Sequence, residues 1–201
     1  RVLYIVPKAN LQRKWSKEIR NFTANNWRVV DHRVKSFQGT PVAAPVLCEN
    51  LLDLVRESAL DAHRDFILRL SSFSLPLSRS DGGGRAWKDK AEQLRRVFPG
   101  LAETALEVDG RTSDAHEQRK DAFACAVNEV LPHFDVLVLD EGHNLKHGFQ
   151  GHDGAARNRL LAYVLGTQKG PEGRHLSRRM DRAIILSATP VDDSYDDLWN
   201  Q

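Results

Sequence analysis

Apolar residues recur along this chain in two alternating patterns. Short runs of branched and aromatic residues predict five strands, at residues 2–6, 27–32, 66–73, 136–139 and 183–186. Apolar positions three or four residues apart predict five helices between them, at residues 10–22, 49–63, 85–98, 113–131 and 155–165. Strands that alternate with helices indicate right-handed crossovers and a parallel sheet covered on both faces. The pattern therefore predicts an α/β protein, a three-layer α/β/α lobe with a mainly parallel sheet.

The regular pattern loosens in the middle of the chain. Between residues 75 and 109 it is interrupted by Pro76, by the glycines at 82–84 and by Pro99 with Gly100. One helix is predicted within this stretch and another directly after it. We expect residues 75–131 to form a partly helical insertion within a single lobe that covers residues 1–201.

Two of the apolar runs end in residues that can carry chemistry. The run at 136–139 is followed by Asp140 and Glu141, and the run at 183–186 by Ser187-Ala188-Thr189-Pro190. A continuous apolar run is typical of a strand buried on both faces of a parallel sheet, and the carboxyl ends of such strands face the ligand. One carboxylate of such a pair can hold Mg²⁺ while the other activates a water molecule. The competing interpretation is an Asp-Glu pair that only caps the following loop.

Composition narrows the possible classes of protein only a little. The 201 residues, 41% of them hydrophobic, suffice for one compact domain, and a net charge of +2 is too slight to indicate a nucleic-acid partner by itself. No apolar stretch approaches the roughly 20 residues that span a bilayer, so no membrane partner is expected. The two cysteines are too few for a disulfide framework, and we expect both to be buried in a protein of a reducing compartment. Because Arg1 leads directly into a strand and the only methionine is Met180, we expect the chain to be part of a longer protein.

The two motifs together resemble motifs II and III of superfamily 2 helicase-like ATPases. With their neighbours, the Asp140–His143 box (DEGH) and the Ser187–Pro190 box (SATP) are most similar to the Swi/Snf type, whose members are DNA translocases. The resemblance covers residues 2–37, 66–73 and 136–199, from motif Ia to just after motif III, and Asp193 stands where the family often has Asn. It implies the first RecA-like lobe of such a motor.

The resemblance also implies roles for individual residues. Asp140 would help to hold Mg²⁺ on the phosphates of ATP, and Glu141 would activate the hydrolytic water. A second group would couple the nucleotide to the nucleic acid; its members are His143, Ser187, Ala188 and Thr189. A zinc site is the alternative for His143, with His147 and His152, but their spacing matches no common zinc pattern.

The first strand and helix resemble motif Ia, which contacts the phosphate backbone of DNA. The amino end of a helix favours phosphate in any case. The implied nucleic-acid contacts are Pro7, Lys8 and Gln12 in motif Ia, with Ser71 and Ser72 at the position of motif Ib. Trp15 belongs to the same segment, but it shares an apolar stripe with Leu11 and Ile19, so we expect it in the core.

A phosphate-binding loop is missing from the sequence. No Gly-x-x-x-x-Gly-Lys-Ser/Thr string occurs in it. In the family this Walker A loop precedes motif Ia, and a second RecA-like lobe with an arginine finger follows motif III, so we expect both outside these residues. ATP, Mg²⁺ and double-stranded DNA are the implied ligands. The implied location is the cytoplasm of a bacterium, in association with the nucleoid, or the nucleus of a eukaryote. The 201 residues alone are not expected to hydrolyse ATP.

Two other functions fit the same residues. One is a different superfamily 2 enzyme, such as a DEAH-like helicase or the motor subunit of a restriction or phage-defence complex. The other is a DNA or protein docking module that has lost catalysis. Retention of both carboxylates and of the SATP box favours the motor.

Overall fold

The fold is centred on one parallel β-sheet. The computed structural model describes residues 1–23, 43–75, 84–101, 106–108, 113–145 and 156–188. The strands, in chain order, are β1 (Val2–Val6), β2 (Val46–Cys48), β3 (Phe66–Arg69), β4 (Phe134–Asp140) and β5 (Met180–Leu186). The helices are α1 (Ala9–Thr23), α2 (Leu51–Leu60), α3 (Gly84–Val97), α4 (Ser113–Val130) and α5 (Ala156–Leu165). The strand order is β2-β3-β1-β4-β5 with every pairing parallel, which confirms the predicted α/β fold class.

The sequence prediction and the structure differ at three strands. The predicted strand at 27–32 lies outside the described residues. β2 was not predicted, because its three residues are too few to show a periodic pattern. β3 was predicted to reach residue 73, but it ends at Arg69, and Leu70–Ser74 form a 3₁₀ turn that buries Phe73.

Alternate residues of the central strands face different helices. Leu3 and Ile5 on β1 are fully buried in the main core, which also receives residues from α2, α4 and α5. Tyr4 faces the opposite side, where its ring lies 5.8 Å from the ring of Trp15 on α1. This alternation is the two-residue period of a strand. Helices therefore cover the sheet from both sides, as predicted for an α/β/α arrangement.

Residues of the predicted insertion also contribute to the core. Trp87 on α3 packs edge-on against Phe123 on α4, with 6.3 Å between ring centroids. Both side chains are buried, as are Leu94 on α3 and Val127 on α4. The assignment of residues 75–131 as an insertion remains a prediction, but α3 packs against α2, and α4 packs against α5 and α2. None of the described helices is long and apolar enough to cross a membrane.

The connections between strands change direction at the centre of the sheet. From β1 the chain passes through α1 to β2 on one side, and from β4 it passes through α5 to β5 on the other side. Because β1 and β4 are neighbours, their carboxyl ends flank a topological switch point. Crevices at such points are where open parallel sheets bind ligands.

β5 differs from the predicted doubly buried strand. Ile184, Ile185 and Leu186 are 50%, 41% and 38% exposed. β5 is the last strand in the described sheet and pairs only with β4, so one of its edges and much of its surface are uncovered by the described residues. The prediction that this apolar run is buried on both faces is therefore wrong for the part of the chain described here.

Candidate functional site

The predicted functional residues converge on the carboxyl edge of the sheet. Since all five strands are parallel, their carboxyl ends lie on the same edge. Asp140 is the last residue of β4 and pairs in register with Leu186, the last residue of β5. Pro7 and Lys8 follow the neighbouring strand β1. The register therefore brings the DEGH box between the start of α1 and the start of the SATP box.

Asp140 is half-buried and is held by a residue from α1. The indole Nε1–H of Trp15 donates to Asp140 Oδ2 at 3.1 Å. The two residues are 125 positions apart, so no local sequence pattern could reveal the contact. Trp15 was expected in the core, but it is only half-buried, and its ring lies 5.8 Å from that of Tyr4 on the face of the sheet opposite the main core.

The backbone at Glu141 adopts an uncommon conformation. Its φ is +58°, in the left-handed region that side chains other than glycine rarely occupy. Two hydrogen bonds stabilise this turn, because the carbonyl oxygen of Glu141 accepts from the backbone N–H of Asn144 at 3.0 Å and from its side-chain amide at 2.9 Å. A left-handed residue costs roughly 1 to 2 kcal/mol, and such residues cluster at functional sites. The turn follows the end of β4 at Asp140 directly.

Asn144 in turn connects the DEGH loop to α5. Its carbonyl oxygen accepts from a guanidinium N–H of Arg157 at 3.0 Å and from the side-chain amide of Asn158 at 3.4 Å. Asn158 is fully buried, and burial also lowers the pKa of Arg157. Sequence reasoning did not identify Asn144, although an Asn three residues after a strand-ending pair is a residue type that favours turns. The conformation of Glu141 is therefore supported from the first turn of α5.

His143 lies beside the catalytic candidate Glu141. Its Nδ1 is 3.2 Å from Glu141 Oε2, close enough for an ion pair when the ring is protonated. This nitrogen makes no hydrogen bond within the described residues, so its interaction with Glu141 is electrostatic. The two side chains are 36% and 38% exposed, which leaves both accessible from the edge of the sheet.

The SATP box begins beside the DEGH loop. Ser187 follows β5 directly, one residue after the pair that Asp140 forms with Leu186. Its Oγ is buried and makes no hydrogen bond within the described part of the chain. Ala188 is exposed, and Thr189 lies outside the described residues. The structure thus brings the first residue of this box to the site.

The two predicted nucleic-acid segments lie on the same edge but differ in exposure. Lys8 is exposed immediately before the 15-residue helix α1, and Pro7 is partly buried behind it. In the 3₁₀ turn after β3, Ser71 is exposed, while the hydroxyl of Ser72 lies 3.5 Å from the carbonyl oxygen of Glu49. Lys8 and Ser71 are therefore the members of these segments whose side chains are most available to a ligand.

Gln12 requires a correction. It was assigned to nucleic-acid contact, but it is only 2% exposed. Its side-chain amide donates to the carbonyl oxygens of Cys48 at 2.8 Å and Ile67 at 2.9 Å. Buried carbonyl groups need hydrogen-bond partners, and Gln12 supplies them on the neighbouring strands β2 and β3. Its side chain cannot reach a phosphate from this position.

The donor set at the edge suits Mg²⁺ only when other ligands accompany the ion. Within the described residues no group of three or more His, Cys, Asp or Glu side chains could hold a metal. Mg²⁺ commonly uses one or two protein carboxylates and completes its octahedron with water and nucleotide phosphates. Asp140 with neighbouring Glu141 fits that requirement. The zinc alternative for His143 stays untested, because His147 and His152 lie outside the described residues.

Comparisons of the chain with protein-family models, with curated proteins and with solved structures found no match.

Proposed function

We propose that this chain is part of a DNA-dependent ATPase of the Swi/Snf type, which couples ATP hydrolysis to movement on double-stranded DNA. One observation carries the proposal. Asp140 and Glu141 stand at the carboxyl end of β4, at the switch point of a parallel sheet, beside the exposed Lys8 at the start of α1. Acidic residues and the amino end of a helix, a feature that favours phosphate, are thus neighbours on one edge, as a motor that uses both ATP and DNA requires.

The two carboxylates would divide the chemistry. Asp140 is fixed by Trp15 and would contribute one ligand to Mg²⁺, which would neutralise charge on the β and γ phosphates of ATP. Glu141, partly exposed in its left-handed turn, would orient a water molecule and accept its proton as the water attacks the γ phosphorus. The bond from that phosphorus to the bridging oxygen breaks, so that ADP and inorganic phosphate are released.

The remaining residues of the edge would connect the nucleotide with the DNA. His143 contacts Glu141, and the unsatisfied Ser187 hydroxyl lies beside the same loop, so both are placed to respond when the γ phosphate leaves. Lys8 and Ser71 would bind DNA phosphates. The phosphate-binding loop and the second lobe, which the 201 residues do not contain, would come from the rest of the protein.

The decisive experiment compares ATP hydrolysis by the full-length protein and its Glu141→Gln variant, with and without double-stranded DNA. Wild-type hydrolysis stimulated by DNA, with a loss of at least about 100-fold in the variant, is the expected result for a catalytic base. Glu18→Gln, which changes an exposed carboxylate on α1, is the matched control and should retain wild-type activity.

Other outcomes point to the other two functions. Stimulation by RNA or by single-stranded DNA alone would favour a different superfamily 2 enzyme. No hydrolysis with any nucleic acid, together with DNA or protein binding, would overturn the motor in favour of a docking module.

A further inference from the structure

We infer that Trp15 is a positioning residue, which orients the Asp140 carboxylate for Mg²⁺ and connects it to the DNA-contacting end of α1. This inference rests on the proposed function. Its geometric basis is the hydrogen bond from Trp15 Nε1 to Asp140 Oδ2, 3.1 Å long and partly shielded from water.

The indole N–H favours the carboxylate of Asp140 over a neutral acceptor. An indole nitrogen can only donate a hydrogen bond, and a carboxylate that accepts one is a stronger partner than a neutral oxygen. With Oδ2 engaged, the carboxyl group of Asp140 cannot rotate freely, and Oδ1 remains available to a metal ion or its water. Groups that orient a metal ligand in this way commonly change metal affinity by about 10-fold to 100-fold when removed.

The ring of Trp15 is itself held in place. It packs against Tyr4 of β1 at a centroid distance of 5.8 Å and an interplanar angle of 45°. Burial raises the pKa of Tyr4, consistent with a shielded environment around the two rings. The indole N–H therefore has a defined direction before any ligand binds.

The same helix provides a rigid connection to Lys8. Lys8 accepts the first helical hydrogen bond from the backbone N–H of Gln12 at 3.0 Å, and the Gln12 side chain fastens this turn to β2 and β3. Trp15 follows on the next turn. Because Lys8 and Trp15 flank this anchor on one continuous helix, a bound phosphate that moves the helix start would tilt α1 about Gln12 and so change the Trp15 hydrogen bond.

The first test measures the Mg²⁺ dependence of ATP hydrolysis in the full-length protein. Trp15→Phe keeps an aromatic ring against Tyr4 but removes the N–H donor. The half-saturating Mg²⁺ concentration should rise about 10-fold in this variant. Trp87→Phe, at a buried tryptophan of α3, is the control for loss of an indole in the core and should leave the Mg²⁺ requirement unchanged.

The second test does not depend on activity. In protein labelled with 5-fluorotryptophan, the ¹⁹F resonance of Trp15 is assigned by its absence in Trp15→Phe. It should shift in Asp140→Asn, on addition of Mg²⁺ with a non-hydrolysable ATP analogue, and on addition of double-stranded DNA without nucleotide. The Trp87 resonance should stay in place in all three.

Failure of the inference and failure of the proposed function are distinguishable. A wild-type protein that hydrolyses ATP, while Trp15→Phe keeps the same Mg²⁺ requirement, overturns the role of Trp15 alone. A Trp15 resonance that is identical in wild type and Asp140→Asn also overturns it. A resonance that responds to Asp140→Asn and to nucleotide but not to DNA overturns the connection to α1. Absence of hydrolysis by the wild type overturns the proposed function.

Discussion

The side-chain amide of Gln12 donates to the main-chain carbonyl of Ile67 across 2.9 Å, and through its second hydrogen to the carbonyl of Cys48. One residue of α1 thus joins two adjacent strands, although it lies 36 and 55 positions from its partners in the sequence. Both contacts are buried, so water cannot replace the amide if it is removed. The position of α1 over the sheet depends on this residue.

Replacement of Gln12 by leucine should destabilise the protein without changing its surface. Leucine has a similar size but no donor, and an unsatisfied buried carbonyl costs about 1 to 3 kcal/mol. We expect the free energy of unfolding, measured by urea denaturation, to fall by about 2 kcal/mol or more. Arg13→Ala, at the exposed neighbouring position, should change it by less than about 0.5 kcal/mol. Equal stability of Gln12→Leu and wild type would show that the amide does not fasten the helix.

Gly166→Ala should be among the most destabilising small substitutions in the chain. Gly166 ends α5 with a φ of +109°, and an added Cβ would lie 2.6 Å from the Cα of Arg178 and still closer to the carbonyl oxygen of Ser177. Since backbone atoms cannot move aside cheaply, we expect a loss of about 3 kcal/mol or more in the free energy of unfolding.

Two other glycines separate the causes of that loss. Gly173 has a φ of +76°, but an added Cβ there would meet no other atom. Gly173→Ala should therefore lower the free energy of unfolding by only about 1 kcal/mol, the cost of a left-handed backbone for alanine. Gly100 also has open space, and its backbone is not in the left-handed region, so Gly100→Ala should change stability by less than about 0.5 kcal/mol. A similar loss in all three variants would contradict the steric explanation for Gly166.

The ion pairs between α4 and α5 should make the free energy of unfolding decrease as the pH falls into the acid range. Burial acts to raise the pKa of Glu117, but hydrogen bonds from Lys120 and Arg159 and the charges of both outweigh it, so its pKa is below the ordinary value. A lowered carboxyl pKa in the folded state stabilises the protein above the unfolded pKa, and this contribution is lost as pH falls through the folded pKa.

Glu117→Gln should therefore lower the free energy of unfolding at neutral pH and flatten its decline as the pH falls from about 5 to about 3. Urea denaturation at a series of pH values measures this directly. Glu18→Gln, at an exposed carboxylate of α1, should keep the wild-type pH profile. A profile for Glu117→Gln that superimposes on that of the wild type would disprove the contribution of this carboxylate.

Both cysteines should resist thiol reagents in the folded protein. Burial raises the pKa of Cys48 to about 12 and that of Cys125 to about 11, and neither is accessible to solvent. Because the thiolate is the reactive form, iodoacetamide at pH 8 should leave both unmodified until urea unfolds the chain, as measured by peptide mass spectrometry. Ser71→Cys places a thiol at an exposed position and should react at once. Modification of Cys48 at the same rate as this control would show that β2 is open to solvent.

Much of the fold was predictable because it depends on local patterns. The periods of apolar residues identified four of the five described strands and all five described helices within a few positions. They also predicted that Asp140 and Glu141 follow a strand, and the parallel arrangement then required both to lie at the carboxyl edge. The expectation that both cysteines are buried is confirmed as well.

The rest depended on contacts between distant parts of the chain. The sequence indicated a helix at Gln12 and Trp15, but only the tertiary structure decided that Gln12 turns inward to two strands and that Trp15 reaches Asp140. Periodicity defines which face of a helix is apolar, not which polar atoms it meets after folding. The exposure of Ile184 has the same origin, because an apolar run predicts a strand whereas burial depends on what lies beside it in the sheet. Local sequence thus determined the elements and the edge that carries the chemistry, while hydrogen bonds across as many as 125 residues determined how the site is held.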